Sequence, residues 1–359
     1  MGTGSSNQEL TLDVLSDVLR VVRLTGSVFF TGEFSAPWSI EEPVVDDLVR
    51  FAMPGAECIV LFHILAEGDC HFEPHGLPSL ELHQGDVIIF PHGDRHRMCS
   101  HPSARAVSSQ STTPQRGDGD VSQIKLGGGG EISRFVCGYL NCDQKFSPLL
   151  GALPNILIVR AADDYATVEA IDQSGRRPTR VSERSGSWLQ TTLKFTIHEA
   201  KAGNPGNGAM LGRLTELMFV EILRQYMRQL PTDHTGWLAG LNDAHVGKAL
   251  RLMHMQPAKN WTVDDLAREA GVSRSVLAQR FTDLVAESPM KYLARWRVHL
   301  AKQMLRDGAH SMAEVADKIG YESEAAFNRA FKRATGVPPA AWRRRSAANS
   351  ALAARAAAN

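Results

Sequence analysis

The sequence predicts an α+β protein of two domains, a β-barrel with flanking helices and an all-α domain in which a long helix joins two similar helical units. Three observations lead there. Between Gly26 and about Phe135 the chain is written in short β-rich runs, SVFFTGEF, AECIVLFHIL and DVIIF, parted by Gly and Pro turns. From about residue 188 onward apolar residues recur at helical spacing. In the last third, DLAREAGVSRSVLAQRF and EVADKIGYESEAAFNRAF match each other once one extra residue is allowed in the second turn. At 359 residues, 43% of them apolar, the chain can fill two conventional cores.

Residues 9–24 place Leu12, Leu15, Leu19 and Val22 at helical spacing, so a short amphipathic helix is expected to open the first domain, read as residues 9–230. Within it the polar stretch of about 100–130, ending in GGGG, reads as a mobile loop. After one more strand, ISRFVCGYL, helical patterns take over around SPLLGAL and in WLQTTLKFTIHEA. Residues 210–230 are apolar around much of a helical circumference and are expected to be core or an oligomer interface. Residues 231–244 read as a linker, 245–345 as the second domain, and the Ala-rich 346–359 as a disordered tail.

The zero net charge conceals an asymmetry. Residues 246–345 hold 18 Lys and Arg against 10 Asp and Glu, whereas residues 1–245 hold 20 against 29. A basic module of this size points to a polyanion partner. The five cysteines are Cys58, Cys70, Cys99, Cys137 and Cys142; their odd number suits a reducing cytoplasm better than a disulfide scaffold. No apolar run approaches the roughly 20 residues of a spanning helix, and the N-terminus lacks the features of a signal peptide, so a soluble cytoplasmic protein is expected.

Each position of the repeat has a physical reason. Ala267 and Ala316 are small enough for a second helix to cross closely. Four residues on, Gly271 and Gly320 supply the positive φ that ends a helix, and Ser273 and Ser323 can cap the next one. Leu277 with Phe281, and Phe327 with Phe331, are apolar pairs four apart that pin this next helix to a core. The pattern is a helix-turn-helix, twice, and about Met290 to Leu305 reads as one continuous helix between the two units. With those pairs inward, the second helix of each unit exposes Arg274, Ser275, Ala278 and Gln279 in the first and Glu324, Ala325, Asn328 and Arg329 in the second.

Residues 245–345, closing with GVPPAAWR, resemble the DNA-binding domain of AraC/XylS-type transcription regulators, in which the two units enter successive major-groove segments of promoter DNA. The linking helix would set their separation near one turn of B-DNA, roughly 34 Å. The resemblance puts base-reading positions at Ser275, Ala278, Gln279, Glu324, Ala325, Asn328 and Arg329. Gln279 and Asn328 suit adenine, Arg329 suits guanine or phosphate, and Glu324 suits cytosine N4. Arg295, Arg297, Lys332 and Arg343 to Arg345 are candidates for phosphate contacts.

In the first domain GDVIIFPHGDRH, residues 85–96, fits the second motif of the cupins at Gly85, Pro91, Gly93 and His96. Cupin enzymes take their other metal ligands from an earlier motif, which this chain lacks. Leu61 stands where the glutamate belongs, MPGAE at 53–57 holds no histidine, and Ser100 replaces the asparagine. His63 lies on the same strand face as Leu61 and could partner His96, but two imidazoles fall short of the three ligands usual in a catalytic site. His63 and His96 are therefore expected as effector-pocket residues, with no metal, no cofactor and no catalytic residue, and His71, His75, His83, His92 and His101 as surface histidines.

FHILAEG, the GDVIIFPHGDRH turn, GGGG followed by RFVCG, and RLTELMFVEILRQYM resemble the cupin-type sensor domain fused to many AraC-family regulators. That resemblance implies a small-molecule effector, a homodimer and RNA polymerase as partners, with 210–230 a dimer element. A constitutive DNA-binding protein with a dimerisation-only barrel, and a metal-dependent cupin enzyme, are the alternatives. Cys137 and Cys142, spaced CGYLNC, raise redox sensing as a further role.

Overall fold

In the computed structural model the described residues are 14–19, 24–43, 58–109, 121–142, 148–161, 166–171, 187–202, 204–230 and 235–357. They form two compact units, residues 23–231 and residues 232–359 together with 1–22. The division falls inside the expected linker of 231–244, the second part of which is not linker but helix, Trp237–Asn242. Residues 14–19, the described part of the expected opening helix, group with the C-terminal unit, whereas the sequence reading placed them with the barrel. No helix among the described residues is long and apolar enough to cross a membrane.

The first unit contains twelve described strands, β1 (Thr25–Ser35), β2 (Ser39–Glu42), β3 (Cys58–Glu67), β4 (Cys70–Pro74), β5 (Leu80–Leu82), β6 (Val87–Phe90), β7 (His96–Cys99), β8 (Val107–Ser108), β9 (Ser122–Gly127), β10 (Ile132–Cys142), β11 (Ile156–Ala161) and β12 (Ala166–Ile171). They make a seven-stranded sheet, β12-β11-β6-β3-β10-β1-β9, and a five-stranded one, β5-β4-β7-β2-β8. One core cluster draws on both sheets, including Phe34, Leu61, Leu65, Ile88 and Phe135 from the larger and Ile40, Phe72 and Met98 from the smaller. Strand β3 is central and buried along almost its whole length, which is why CIVLFHILAE is apolar at every position but His63 and Glu67 instead of alternating.

Two parts of the expected loop of 100–130 are ordered strand: β8 pairs with β2, and β9 lies parallel to β1. Residues 110–120 lie outside the described residues, as do 53–57, where the missing histidine pair would fall. Asp86, from the GDVIIF motif, is buried and accepts from Arg160 Nη1 at 2.7 Å and from the Ala161 N–H at 3.1 Å, so the motif ties β6 to β11.

The helices of this unit are α2 (Pro148–Gly151), α3 (Ser187–Ala202) and α4 (Asn207–Gln229), numbered after α1, residues 14–19. Helix α4 packs on β1 with no side chain between the backbones. A Cβ on Gly26 would stand 2.4 Å from the Gly212 carbonyl oxygen, and one on Gly212 would stand 2.5 Å from that of Gly26. Glu216 completes the junction by accepting from the Gly26 N–H at 3.0 Å.

The second unit continues with α5 (Trp237–Asn242), α6 (Ala244–Met255), α7 (Val263–Ala270), α8 (Arg274–Val285), α9 (Pro289–Asp307), α10 (Met312–Lys318), α11 (Glu324–Thr335) and α12 (Pro339–Ala357). The expected linking helix is α9, slightly longer at both ends than its apolar pattern indicated. The expected disordered tail is helical as far as Ala357. Alanine is the strongest helix former, so an Ala-rich stretch entered from a formed helix propagates it.

Candidate DNA interface and barrel site

The two helix-turn-helix units are built from the same local chemistry. In the first, Thr262 and Asp265 form a capping box at the start of α7, Gly271 closes that helix at φ 74°, and the Ser273 hydroxyl accepts from the Val276 N–H at 3.3 Å to open α8. In the second, Ser311 and Glu314 cap α10, Gly320 turns the chain at φ 79°, and Ser323 accepts from the Ala326 N–H at 3.2 Å to open α11. Gly320 is doubly constrained, because a Cβ there would also meet the Ala258 carbonyl oxygen at 2.3 Å.

Leu277, Phe281, Phe327 and Phe331 have no exposed surface, which fixes the inward face of α8 and α11. On the opposite faces Arg274, Ser275 and Gln279 of α8 and Glu324, Ala325 and Arg329 of α11 are exposed, while Ala278 and Asn328 are half-buried. The seven residues expected to read bases, with Arg274, thus lie away from the inward faces of the two helices. Gln279 donates to Asp283 at 2.8 Å and Arg274 lies 3.4 Å from Asp264, both exposed and weakly held. Sequence reasoning missed Val276, 49% exposed beside Ser275; its signal is a β-branched apolar residue out of phase with the inward pair.

The phosphate candidates divide. Arg295 pairs with Glu287, Arg297 donates to the carbonyls of Pro257 and Lys259 at 2.7 and 2.9 Å, and Arg343 donates to that of His310 at 2.5 Å. Those three guanidinium groups are thus engaged within the protein, Arg295 by a carboxylate and Arg297 and Arg343 by backbone carbonyls. Lys332, Arg344 and Arg345 are exposed.

In the first unit β3 and β7 bring His63 and His96 together, as their strand positions suggested, with the two Nε2 atoms 3.2 Å apart. Both rings are buried. His96 Nδ1 lies 2.9 Å from the Asp94 carbonyl oxygen, so it carries the proton, leaving His96 Nε2 to accept from His63 Nε2–H. His63 Nδ1 is then an acceptor, and the Cys137 thiol donates to it across 3.0 Å. Every ring nitrogen is used and none carries charge. Burial pushes the His96 pKa down to about 4 and that of His63 well below its ordinary value, with the neighbouring His96 adding to the second effect. Burial likewise pushes the Cys137 thiol up, keeping it a poor nucleophile. The Phe90 ring stacks on His96 at 3.7 Å between centroids.

A cupin metal does not fit these residues. Among the described residues no three His, Cys, Asp or Glu side chains converge as ligands, and the two imidazoles spend their facing nitrogens on each other. His96 does line a cleft of about 350 Å³ with Glu41, Glu73, His75, Arg95 and Arg97. Arg97 is fully engaged by Ser39, Glu73 and the carbonyls of Pro102 and Ala104, whereas Arg95 is half-exposed and, among the described residues, pairs with Glu41 alone, at 2.7 Å. His63 lies behind His96 and does not line this cleft.

Known proteins share both halves of this architecture. A family model described as cupin matches residues 13–175 and 177–228, and one described as a helix-turn-helix domain matches residues 266–345. A Streptomyces lividans protein described as an AraC-like transcription regulator is 30% identical over 93% of this chain and 98% of its own length. A similarly described protein of Streptomyces antibioticus is 28% identical over 93% and 99%. The HTH-type transcriptional regulator AlkR of Acinetobacter baylyi is 27% identical over 93% of this chain and the whole of its own. With a cupin-matching barrel followed along its length by the duplicated helix-turn-helix, this chain belongs to the AraC family of DNA-binding transcription regulators and carries a cupin domain ahead of its DNA-binding unit.

Proposed function

We propose that the chain reads two successive half-sites of a promoter with the outward faces of α8 and α11, and that a small molecule bound by the barrel unit controls this. The observation that carries the reading is the duplication itself. Two identically capped helices present Arg274, Ser275, Ala278 and Gln279, and Glu324, Ala325, Asn328 and Arg329, from one basic module. Val276 adds an apolar group suited to a thymine methyl. Arg329→Ala is expected to weaken specific binding by about 1–3 kcal/mol. Gel-shift titration on DNA upstream of the protein's own gene tests this, and an unchanged affinity would refute the assignment.

The cleft beside His96 supports the effector reading, since Arg95 offers a donor at its rim and the neutral histidine an apolar ring face at its base. The pairing of the two neutral imidazoles with each other, which leaves their facing nitrogens no capacity for a substrate or a ligand, supports a barrel without catalytic function. A cytoplasmic location and RNA polymerase as partner accord with the family.

A homodimer is supported by the outer surface of α3 and α4. Trp188 and Phe195 stand seven apart on α3, and Met210 and Leu217 seven apart on α4; all four are about half exposed. Seven-residue spacing puts each pair on one helical stripe. The double variant Phe195→Glu/Leu217→Glu should sediment as a monomer, and a dimer that survives both charges would rule out this surface.

A further inference from the structure

The segment that leaves the linker is fastened to the first reading helix at three points. The Gly236 N–H donates to the Leu284 carbonyl, in the last turn of α8, at 2.8 Å. The Trp237 indole N–H donates to the Tyr292 hydroxyl at 2.9 Å, and Tyr292 packs edge-on against Phe281 of α8. Asp243 then joins the first turn of α6 to Arg280 of α8.

The two carboxylate oxygens of Asp243 have separate tasks. Oδ1 accepts from the N–H groups of His245 and Val246 at 3.0 and 2.9 Å and so caps α6. Oδ2 accepts from Arg280 Nε at 2.6 Å and Nη2 at 2.5 Å. The carboxylate is almost wholly buried while the guanidinium is half exposed. Burial alone would raise the Asp243 pKa, but Arg280 and the two backbone N–H groups together hold it below the usual carboxylate range. A charge-assisted bond with one partner withdrawn from water is the kind that fixes geometry, because breaking it strands a buried charge. Arg280 directly follows Gln279, and Asp283 of the next turn holds the Gln279 amide, so the grip on α8 acts one residue away from a base-reading position.

We propose that Asp243 is a positioning residue for DNA recognition: through Arg280 it sets the orientation of α8 relative to the segment leaving the linker, so that engagement of the first half-site requires that segment to be docked. The inference rests on the reading of α8 as a DNA-contacting helix. It also assigns Arg280, a basic residue beside that surface, to the protein and not to a phosphate.

The division of labour within one carboxylate makes a clean test. In D243N the remaining carbonyl oxygen can still cap α6, but the amide turns donors toward Arg280; R280M removes the grip and keeps the apolar stem. Footprinting of the full chain on two DNA fragments, one keeping only the first half-site and one only the second, should show each variant needing about tenfold more protein to protect the first half-site, with protection of the second unchanged; the melting temperature should stay close to wild type in D243N, whose amide leaves no buried charge, and fall in R280M, which strands the Asp243 carboxylate. Wild-type protection of the first half-site by D243N would overturn the proposal, and so would tighter protection, which would mean that a freed Arg280 contacts phosphate. Equal weakening of both half-sites with a lowered melting temperature would overturn it too, by reducing Asp243 to a purely structural role. The control is Q279A: if it leaves the first half-site unmoved, the assignment of α8 as a reader fails, independently of what D243N does.

Discussion

Replacing Phe331 with alanine should destabilise the second helix-turn-helix by about 3–5 kcal/mol, the usual range for truncating a fully buried phenylalanine. Phe331 has no exposed surface. Its ring stands 5.6 Å from Phe327 and 6.1 Å from Trp342, edge-on to both, inside a cluster to which α9 contributes Val298, Ala301 and Leu305 and α10 contributes Val315 and Ala316. Rigid helices cannot collapse around the space an aromatic ring leaves, so most of the cavity would persist. Urea unfolding followed by helical circular dichroism measures the loss. A shift below about 1 kcal/mol, the range of volume-conserving core changes, would contradict the packing described.

Acid should loosen the same unit before it loosens an ordinary helical domain. His254 and His299 are buried, and burial is the main cause that pushes both pKa values down to about 3; for His299 the nearby charges of Lys302 and Arg295 add to it. His254 Nε2 lies 2.8 Å from the Tyr292 hydroxyl, while its Nδ1, like His299 Nε2, has no hydrogen-bond partner among the described residues. Both rings are neutral when folded and regain a pKa of about 6.5 when unfolded. Between those values the unfolded chain binds more protons, so stability rises with pH across the window and is lost as pH falls below about 6.5. Each histidine contributes about 1.4 kcal/mol per pH unit, so lowering the pH to 5 should remove roughly 4 kcal/mol from the pair. Urea midpoints at pH 7 and 5 for the wild type and for H254Q/H299Q provide the measurement, with a flattened pH dependence expected in the variant. Equal slopes would place the origin elsewhere, for example in His63 and His96.

The C-terminal unit was largely legible in the sequence because its information is local. Ser273 and Ser323 cap, Gly271 and Gly320 turn, and apolar pairs four apart mark an inward face, all within spans shorter than 20 residues. What sequence could not supply depends on contacts made across long stretches of chain. Asp243 and Arg280 are 37 residues apart, and Cys137 and His63 are 74 apart, joined by the register of β10 on β3. Arg297 looks like any helical surface arginine until Pro257 and Lys259 present their carbonyls to it. The incompleteness of the cupin ligand set was legible from Leu61 and Ser100, but the neutral hydrogen-bonded chain through His96, His63 and Cys137 was not.

Helix α9 contributes to both reading units at once. Its first half gives Tyr292 to the packing around Phe281, its second half gives Val298, Ala301 and Leu305 to the core under α11, and its 19 residues make a rod of about 28 Å. Such a connector has no conformational freedom to lose when the second unit lands. On the proposed reading, once either helix has found its half-site the other is already presented at a high effective concentration, and the two weak encounters behave as a single bivalent one. A promoter can therefore let one half-site drift in sequence and still hold the protein, provided the spacing between the two is kept.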